Sequence, residues 1–126
     1  MNDQIKIMVV DDSSIIRKII ERGVTDKNYQ LVGTASNGLE AIDIFKQTLP
    51  DIVTLDITMP EMNGLVVLEH LLAIKADVQV IVISALSDKG TAIEAIKKGA
   101  KSFIPKPFTT EQVQKTIEKL AVKVVS

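Results

Sequence analysis

Five short runs rich in Val and Ile, at positions 5–10, 30–35, 51–55, 78–84 and 101–104, alternate with five helix-patterned segments along 126 residues. Apolar runs of this kind predict buried parallel strands. Strict alternation with short connections leaves few arrangements. It predicts an α/β doubly wound fold, a five-stranded parallel sheet with right-handed crossovers and five helices shared between its faces. The first run carries Ile7, Met8, Val9 and Val10 in succession and reads as a central strand, whereas Lys101 and Ser102 mark the last as an edge.

The intervening segments carry one apolar stripe each. Ile15, Ile16, Ile19 and Ile20 mark the first, Ile42, Phe45 and Leu49 the second, and Leu65, Leu68 and Leu72 the third. Ala92, Ile93 and Ile96 mark the fourth. The fifth opens with a capping box from Thr109 to Gln112 and continues with Val113, Ile117, Leu120, Ala121 and Val124 on one side. Gly64 and Gly99, with the breaks at Pro50, Pro60 and Pro107, punctuate the turns. There is no internal repeat, low-complexity tract or linker, so a single domain over residues 1–126 is expected.

Composition removes several classes of function. A net charge of -1, from 15 basic and 16 acidic residues, provides no general field for nucleic acid or an anionic membrane. With no cysteine and one histidine, thiolate chemistry and multi-His metal sites are excluded, which leaves oxygen ligands. The first residues lack a signal-peptide plan, and no apolar run approaches the roughly 20 residues that span a bilayer. A cytoplasmic protein without membrane insertion is expected.

The chemistry-bearing residues gather at the ends of the predicted strands, where open α/β sheets hold their sites. Asp11 and Asp12 end the first run and precede Ser13, an arrangement that also suits a helix N-cap. Asp56 ends the third. Neighbouring strands lie about 4.8 Å apart, so three carboxylates would meet there, a costly crowding without a cation. Hard oxygen ligands suit Mg²⁺, with Asp12 and Asp56 as direct ligands, and the same ion would neutralise an oxygen of a phosphoryl group. A carboxylate fixed in direction at a strand end, as Asp56 is, suits in-line attack on phosphorus. Lys106, before Pro107, supplies a point cation for a phosphoryl oxygen, aimed toward the sheet if the X-Pro bond is cis. Ser84, at the end of the fourth run, supplies a hydroxyl donor. Phe103 reads as core or as a switch whose ring takes a buried or an exposed rotamer near the end of the edge strand. His70 is expected on the surface.

In Val9-Val10-Asp11-Asp12-Ser13, Asp51-Ile52-Val53-Thr54-Leu55-Asp56, Met59-Pro60-Glu61-Met62-Asn63-Gly64, Ile83-Ser84-Ala85, Gly99-Ala100-Lys101 and Lys106-Pro107-Phe108 the chain resembles the receiver domain of two-component response regulators, above all stand-alone receivers of the chemotaxis type. The resemblance implies a flavodoxin-like sheet in the order 2-1-3-4-5. It implies that Asp56 accepts a phosphoryl group from the phosphohistidine of a histidine kinase. Mg²⁺ would be held by Asp12, Asp56 and the Thr58 backbone carbonyl, with Asp11 acting through water. Lys106 and Ser84 would touch the phosphoryl oxygens. Ser84, drawn toward the phosphate, would free space for Phe103 to turn inward and remodel the partner-binding face of the fourth helix, fifth strand and fifth helix.

The resemblance further implies a monomeric signalling switch, not an enzyme in the usual sense, though it catalyses its own phosphorylation and dephosphorylation. Its target would be a protein, such as a flagellar motor switch protein, with no direct contact to nucleic acid. A phosphorelay intermediate and the receiver fragment of a longer regulator are the alternatives. Two positions depart from the family's pattern: Phe103 stands where chemotaxis receivers usually have Tyr, and Thr58 where an amide is common. An aspartyl-phosphate phosphatase would need a second carboxylate at position 58. A flavodoxin-like cofactor carrier would need a phosphate loop where Asp11 and Asp12 repel phosphate.

Overall fold

The computed structural model describes residues 4–59 and 63–125. Its elements run β1 (Ile5–Val10), α1 (Ser14–Arg22), β2 (Tyr29–Ala35), α2 (Gly38–Thr48), β3 (Ile52–Asp56), α3 (Gly64–Ile74), β4 (Gln79–Ala85), α4 (Lys89–Lys98), β5 (Ser102–Lys106) and α5 (Thr110–Val125), with a 3-10 turn at Leu86–Asp88. The strands pair in parallel in the order β2-β1-β3-β4-β5. β1 is therefore interior and β5 an edge, as the sequence predicts. Among the described residues, no helix is long and apolar enough to cross a membrane.

The strand period of two divides the core into two layers. Met8, Val10, Val53, Leu55, Val80 and Val82 pack with Phe45, Leu68, Leu71 and Ala95 on the side of α2, α3 and α4. Ile7, Val9, Ile52, Ile81 and Ile83 pack with Ile20, Val113, Ile117 and Leu120 on the side of α1 and α5. Each such side chain contributes roughly 1.5–3 kcal/mol by leaving water, so both faces of the central strands hold their register firmly.

Side-chain caps fix where the helices start. Ser13, Asn37 and Asn63 accept the first free amides of α1, α2 and α3. The expected capping box closes α5: the Thr109 amide donates to Gln112 Oε1 at 2.8 Å, and the Gln112 amide donates to Thr109 Oγ1 at 3.2 Å. α3 can begin hard against the end of β3 only because residue 64 is glycine, since a Cβ there would collide with the Ile57 backbone. Gly99, at φ 124°, caps α4 in a conformation that side chains rarely adopt.

Three predicted stripes reach the core with only some of their members. In α4 the sheet is faced by Ala92 and Ala95, while Ile93 and Ile96 are 56% and 43% exposed. The small alanines let the helix approach closely and leave the isoleucines at the rim. In α2 the buried residues are Gly38, Ala41 and Phe45; Leu49 is the exposed C-cap in left-handed backbone, not part of the stripe. Ile15 of α1 is 71% exposed, because the line through Ile16 and Ile20 meets the core instead. β5 also runs two residues past the predicted end, through Pro105 to Lys106. A proline is tolerated there because β5 is an edge strand. Phe103 is consequently its second residue, not near its end, and Lys106 ends the strand instead of following it. The Pro60 break, with Glu61 and Met62 of the same motif, lies outside the described residues.

Candidate functional site

The sheet order brings the chemistry together. Val10 pairs in register with Leu55, so Asp11 and Asp56 leave β1 and β3 side by side. Ser84 and Lys106 close the same edge from β4 and β5.

Asp11 is fully buried. Its amide donates to the Ala35 carbonyl at 3.0 Å. Its Oδ1 accepts the Ser13 amide at 2.9 Å, and its backbone carbonyl accepts Arg17 Nη1 at 2.7 Å. Oδ2 has no hydrogen-bond partner and lies 3.7 Å from the Lys106 ammonium. Burial pushes the Asp11 carboxyl up to about 6, helped by the negative charges of Asp56 and Asp12 and opposed by the Ser13 amide and Lys106. Asp12 is exposed at the mouth.

Asp56 is 1% exposed. Its Oδ1 accepts both the Thr58 amide at 2.9 Å and the Thr58 hydroxyl at 2.6 Å, and its Oδ2 accepts the Lys106 ammonium at 3.2 Å. The carboxylate is thus oriented by donors on both oxygens. The Lys106-Pro107 bond is cis.

Asp11, Asp12 and Asp56 each offer a carboxylate oxygen, all within 4.8 Å of one another. A hard divalent cation fits this donor set on two observations: every donor is oxygen, and the buried Asp11 Oδ2 lacks a hydrogen-bond partner. The negative charges of Asp56 and Asp12, which add to burial in raising the Asp11 carboxyl, are charges such a cation would offset.

Ser84 and Phe103 stand further from this cluster. Ser84 is fully buried, but its hydroxyl bonds the Ala85 carbonyl at a long 3.4 Å and not Asp56 or Lys106. Phe103 packs partly buried against the α2 to α4 layer. It also lines a shallow apolar cavity of about 220 Å³ with Lys89, Ala92, Ile93 and Ile96. His70 is exposed, as expected. Arg17 is the site residue that pattern reading misses; its one signal is a cation in the first turn of α1, where helices favour acids.

The fold and the acidic, oxygen-only cluster at the strand ends define a doubly wound α/β protein whose carboxylates could hold a metal ion. The model of the response regulator receiver domain matches residues 7–118, and the chain belongs to that family. It is 45% identical over 117 residues to the chemotaxis protein CheY of Listeria monocytogenes, covering 93% of this chain and 98% of that one. To the CheY of Thermotoga maritima it is 40% identical, covering 92% and 97%. It is also 37% identical to a protein-glutamate methylesterase/protein-glutamine glutaminase of Clostridium acetobutylicum, covering 97% of this chain but 36% of that protein. Among solved structures, the response regulator domain of Thermotoga maritima CheB matches with a TM-score of 0.80 at 33% identity, covering 94% of each chain. Receiver domains of this type are signalling switches that work with histidine kinases and downstream targets.

Proposed function

We propose that this receiver is switched by a phosphoryl group on Asp56, taken from the phosphohistidine of a histidine kinase in the cytoplasm. The observation that carries the proposal is the Asp56 carboxylate, buried at the end of β3, oriented by Thr58 and Lys106 and set among Asp11 and Asp12. An Asp56 oxygen attacks phosphorus in line, the P–N bond breaks, and its electron pair returns to the imidazole nitrogen, which takes up a proton. Lys106, already 3.2 Å from Oδ2, stays beside the new phosphoryl oxygens as their counter-charge. Asp12, Asp56 and the Thr58 carbonyl would hold Mg²⁺, with Asp11 acting through water. When bound, the ion screens the carboxylates from the anionic phosphoryl group.

Ser84 turns its hydroxyl from Ala85 to the phosphoryl group, and Phe103 takes the space released. The exposed Ile93 and Ile96 beside Phe103 then change their surroundings, which alters the face of α4, β5 and α5 that a protein target reads. Several relatives that share nearly the full length are named chemotaxis proteins, which supports a chemotaxis output, and the chain would act as a monomer on a protein target such as a flagellar motor switch protein. The match to about a third of a methylesterase supports a second reading, a receiver belonging to a longer regulator. Acetyl phosphate with Mg²⁺ should leave one phosphoryl group on the peptide containing Asp56, detected by mass spectrometry. Equal labelling of Asp56→Asn would remove Asp56 as the acceptor.

The lifetime of that group follows from two side chains. Thr58, two residues past Asp56, spends its hydroxyl on Asp56 itself and lacks the reach of an amide; Leu86, two past Ser84, is apolar and exposed in the 3-10 turn. In the family these places flank the path of the hydrolytic water, so decay should be about tenfold slower than in chemotaxis receivers with polar groups at both, or about 1.4 kcal/mol of barrier. Replacing Thr58 with Asn and Leu86 with Glu together should speed phosphate loss. A wild-type decay as fast as the double variant's would show that neither side chain sets the lifetime.

A further inference from the structure

We propose that Arg17 is a positioning residue for the cation site, acting through the peptide that joins Asp11 to Asp12. The inference rests on the Mg²⁺ reading above and concerns a residue outside the carboxylate and lysine set. Arg17 is the fourth residue of α1, its amide bonded to the Ser13 carbonyl at 3.0 Å. A cation there opposes the helix dipole, and the first turn of α1 carries no acid. Its half-buried side chain reaches back along the helix, and Nη1 donates to the Asp11 carbonyl at 2.7 Å.

That carbonyl belongs to the same peptide plane as the Asp12 amide. Asp11 is held at its own amide by Ala35 and at Oδ1 by Ser13, so its backbone enters the turn in one orientation. The guanidinium fixes the plane that follows. Asp12, by contrast, is exposed and makes no hydrogen bond or ion pair among the described residues, so the course of the backbone is what aims its carboxylate among them. A charge-assisted hydrogen bond of this length is of the stronger kind. Arg17 thereby sets the position from which Asp12 meets a cation, as outer partners commonly orient metal ligands.

The sign of the effect separates this role from simple charge. If Arg17 acted only as a positive charge near a cation site, removing it would tighten cation binding. As a positioning residue, its removal loosens binding. Calorimetric titration with Mg²⁺ alone, on the whole chain, reads the difference. Arg17→Ala should bind Mg²⁺ about tenfold more weakly than wild type. Arg17→Lys, which keeps a cationic donor, should recover most of the loss, and Arg17→Gln, a neutral donor, should fall between. In the metal-free protein the Asp12 amide resonance should move in Arg17→Ala and stay near its place in Arg17→Lys. Circular dichroism checks that each variant folds, and the Lys and Gln variants carry the test should the Ala variant not. Unchanged or tighter Mg²⁺ binding by the Ala or Gln variant overturns the inference. Wild-type protein that binds no Mg²⁺ overturns the site reading itself, and the inference with it.

Discussion

Asp56→Asn should abolish binding of beryllofluoride, a phosphoryl stand-in, at any Mg²⁺ concentration, whereas wild type should bind it only with Mg²⁺ present. Beryllium bonds to a carboxylate oxygen, and the neutral amide removes that anionic oxygen while keeping the shape. The Mg²⁺ requirement follows from charge. Asp11, Asp12 and Asp56 each bring a carboxylate oxygen within 4.8 Å of the others, and among the described residues they face one ammonium, Lys106, at 3.2 Å from Asp56 and 3.7 Å from Asp11. An incoming anion meets net repulsion until a cation joins the group. Asp12→Ala should therefore cost most of the Mg²⁺ affinity and, through it, the beryllofluoride binding. Calorimetry on the three proteins checks both statements. Undiminished binding by either variant would remove that residue from the site.

Metal-free protein should lose stability as pH rises through the window from about 4 to about 6. The Asp11 carboxyl moves from its ordinary value of 3.8 to about 6 on folding. Within that window the folded chain still holds a proton that the unfolded chain has released. Stability rises with pH only where the unfolded state binds more protons, so here it falls. The stabilising contribution is complete below the unfolded value and gone above the folded one, and a shift of this size is worth roughly 3 kcal/mol. Asp77, held low by Lys75, acts in the opposite sense at lower pH and cancels between proteins that share it. Urea unfolding of wild type and Asp11→Asn at both ends of the window isolates the effect: only wild type should weaken across it relative to the variant. Mg²⁺ should restore much of the loss at the upper end, because it favours the ionised carboxylate. Parallel profiles for the two proteins would contradict the assignment.

Ile7 to Val10 and Ile52 to Leu55 were legible as buried parallel strands because burial on both faces leaves no polar alternation. The acids at their ends were legible for the same reason, since a strand that stops at an aspartate places it at the sheet's rim. The strand order came from family resemblance, not from pattern. Helix faces were harder. In α4, Ala92 and Ala95 meet the sheet while the more apolar Ile93 and Ile96 do not, because close approach favours small side chains over large ones. The end of β5 was hidden by Pro105, which ends most strands but is accommodated on an edge. Arg17 was hidden because its partner is a backbone carbonyl, which every residue has and no side-chain pattern records. The aim of the Ser84 hydroxyl, onto Ala85, is likewise a rotamer that sequence does not encode.

Backbone amide shifts of the Mg²⁺-loaded protein, recorded before and after beryllofluoride, test the switch most directly. Chemistry confined to Asp56 must reach Ile93, Ile96 and Phe103, which belong to α4 and β5 and touch none of the three carboxylates through any hydrogen bond or ion pair. Wild type should shift both at the strand ends and along α4, β5 and α5. Ser84→Ala should keep the first set, since the acceptor is intact, and lose most of the second. Wild-type shifts that stop at the strand ends, leaving Ile93, Ile96 and Phe103 unmoved, would contradict the account.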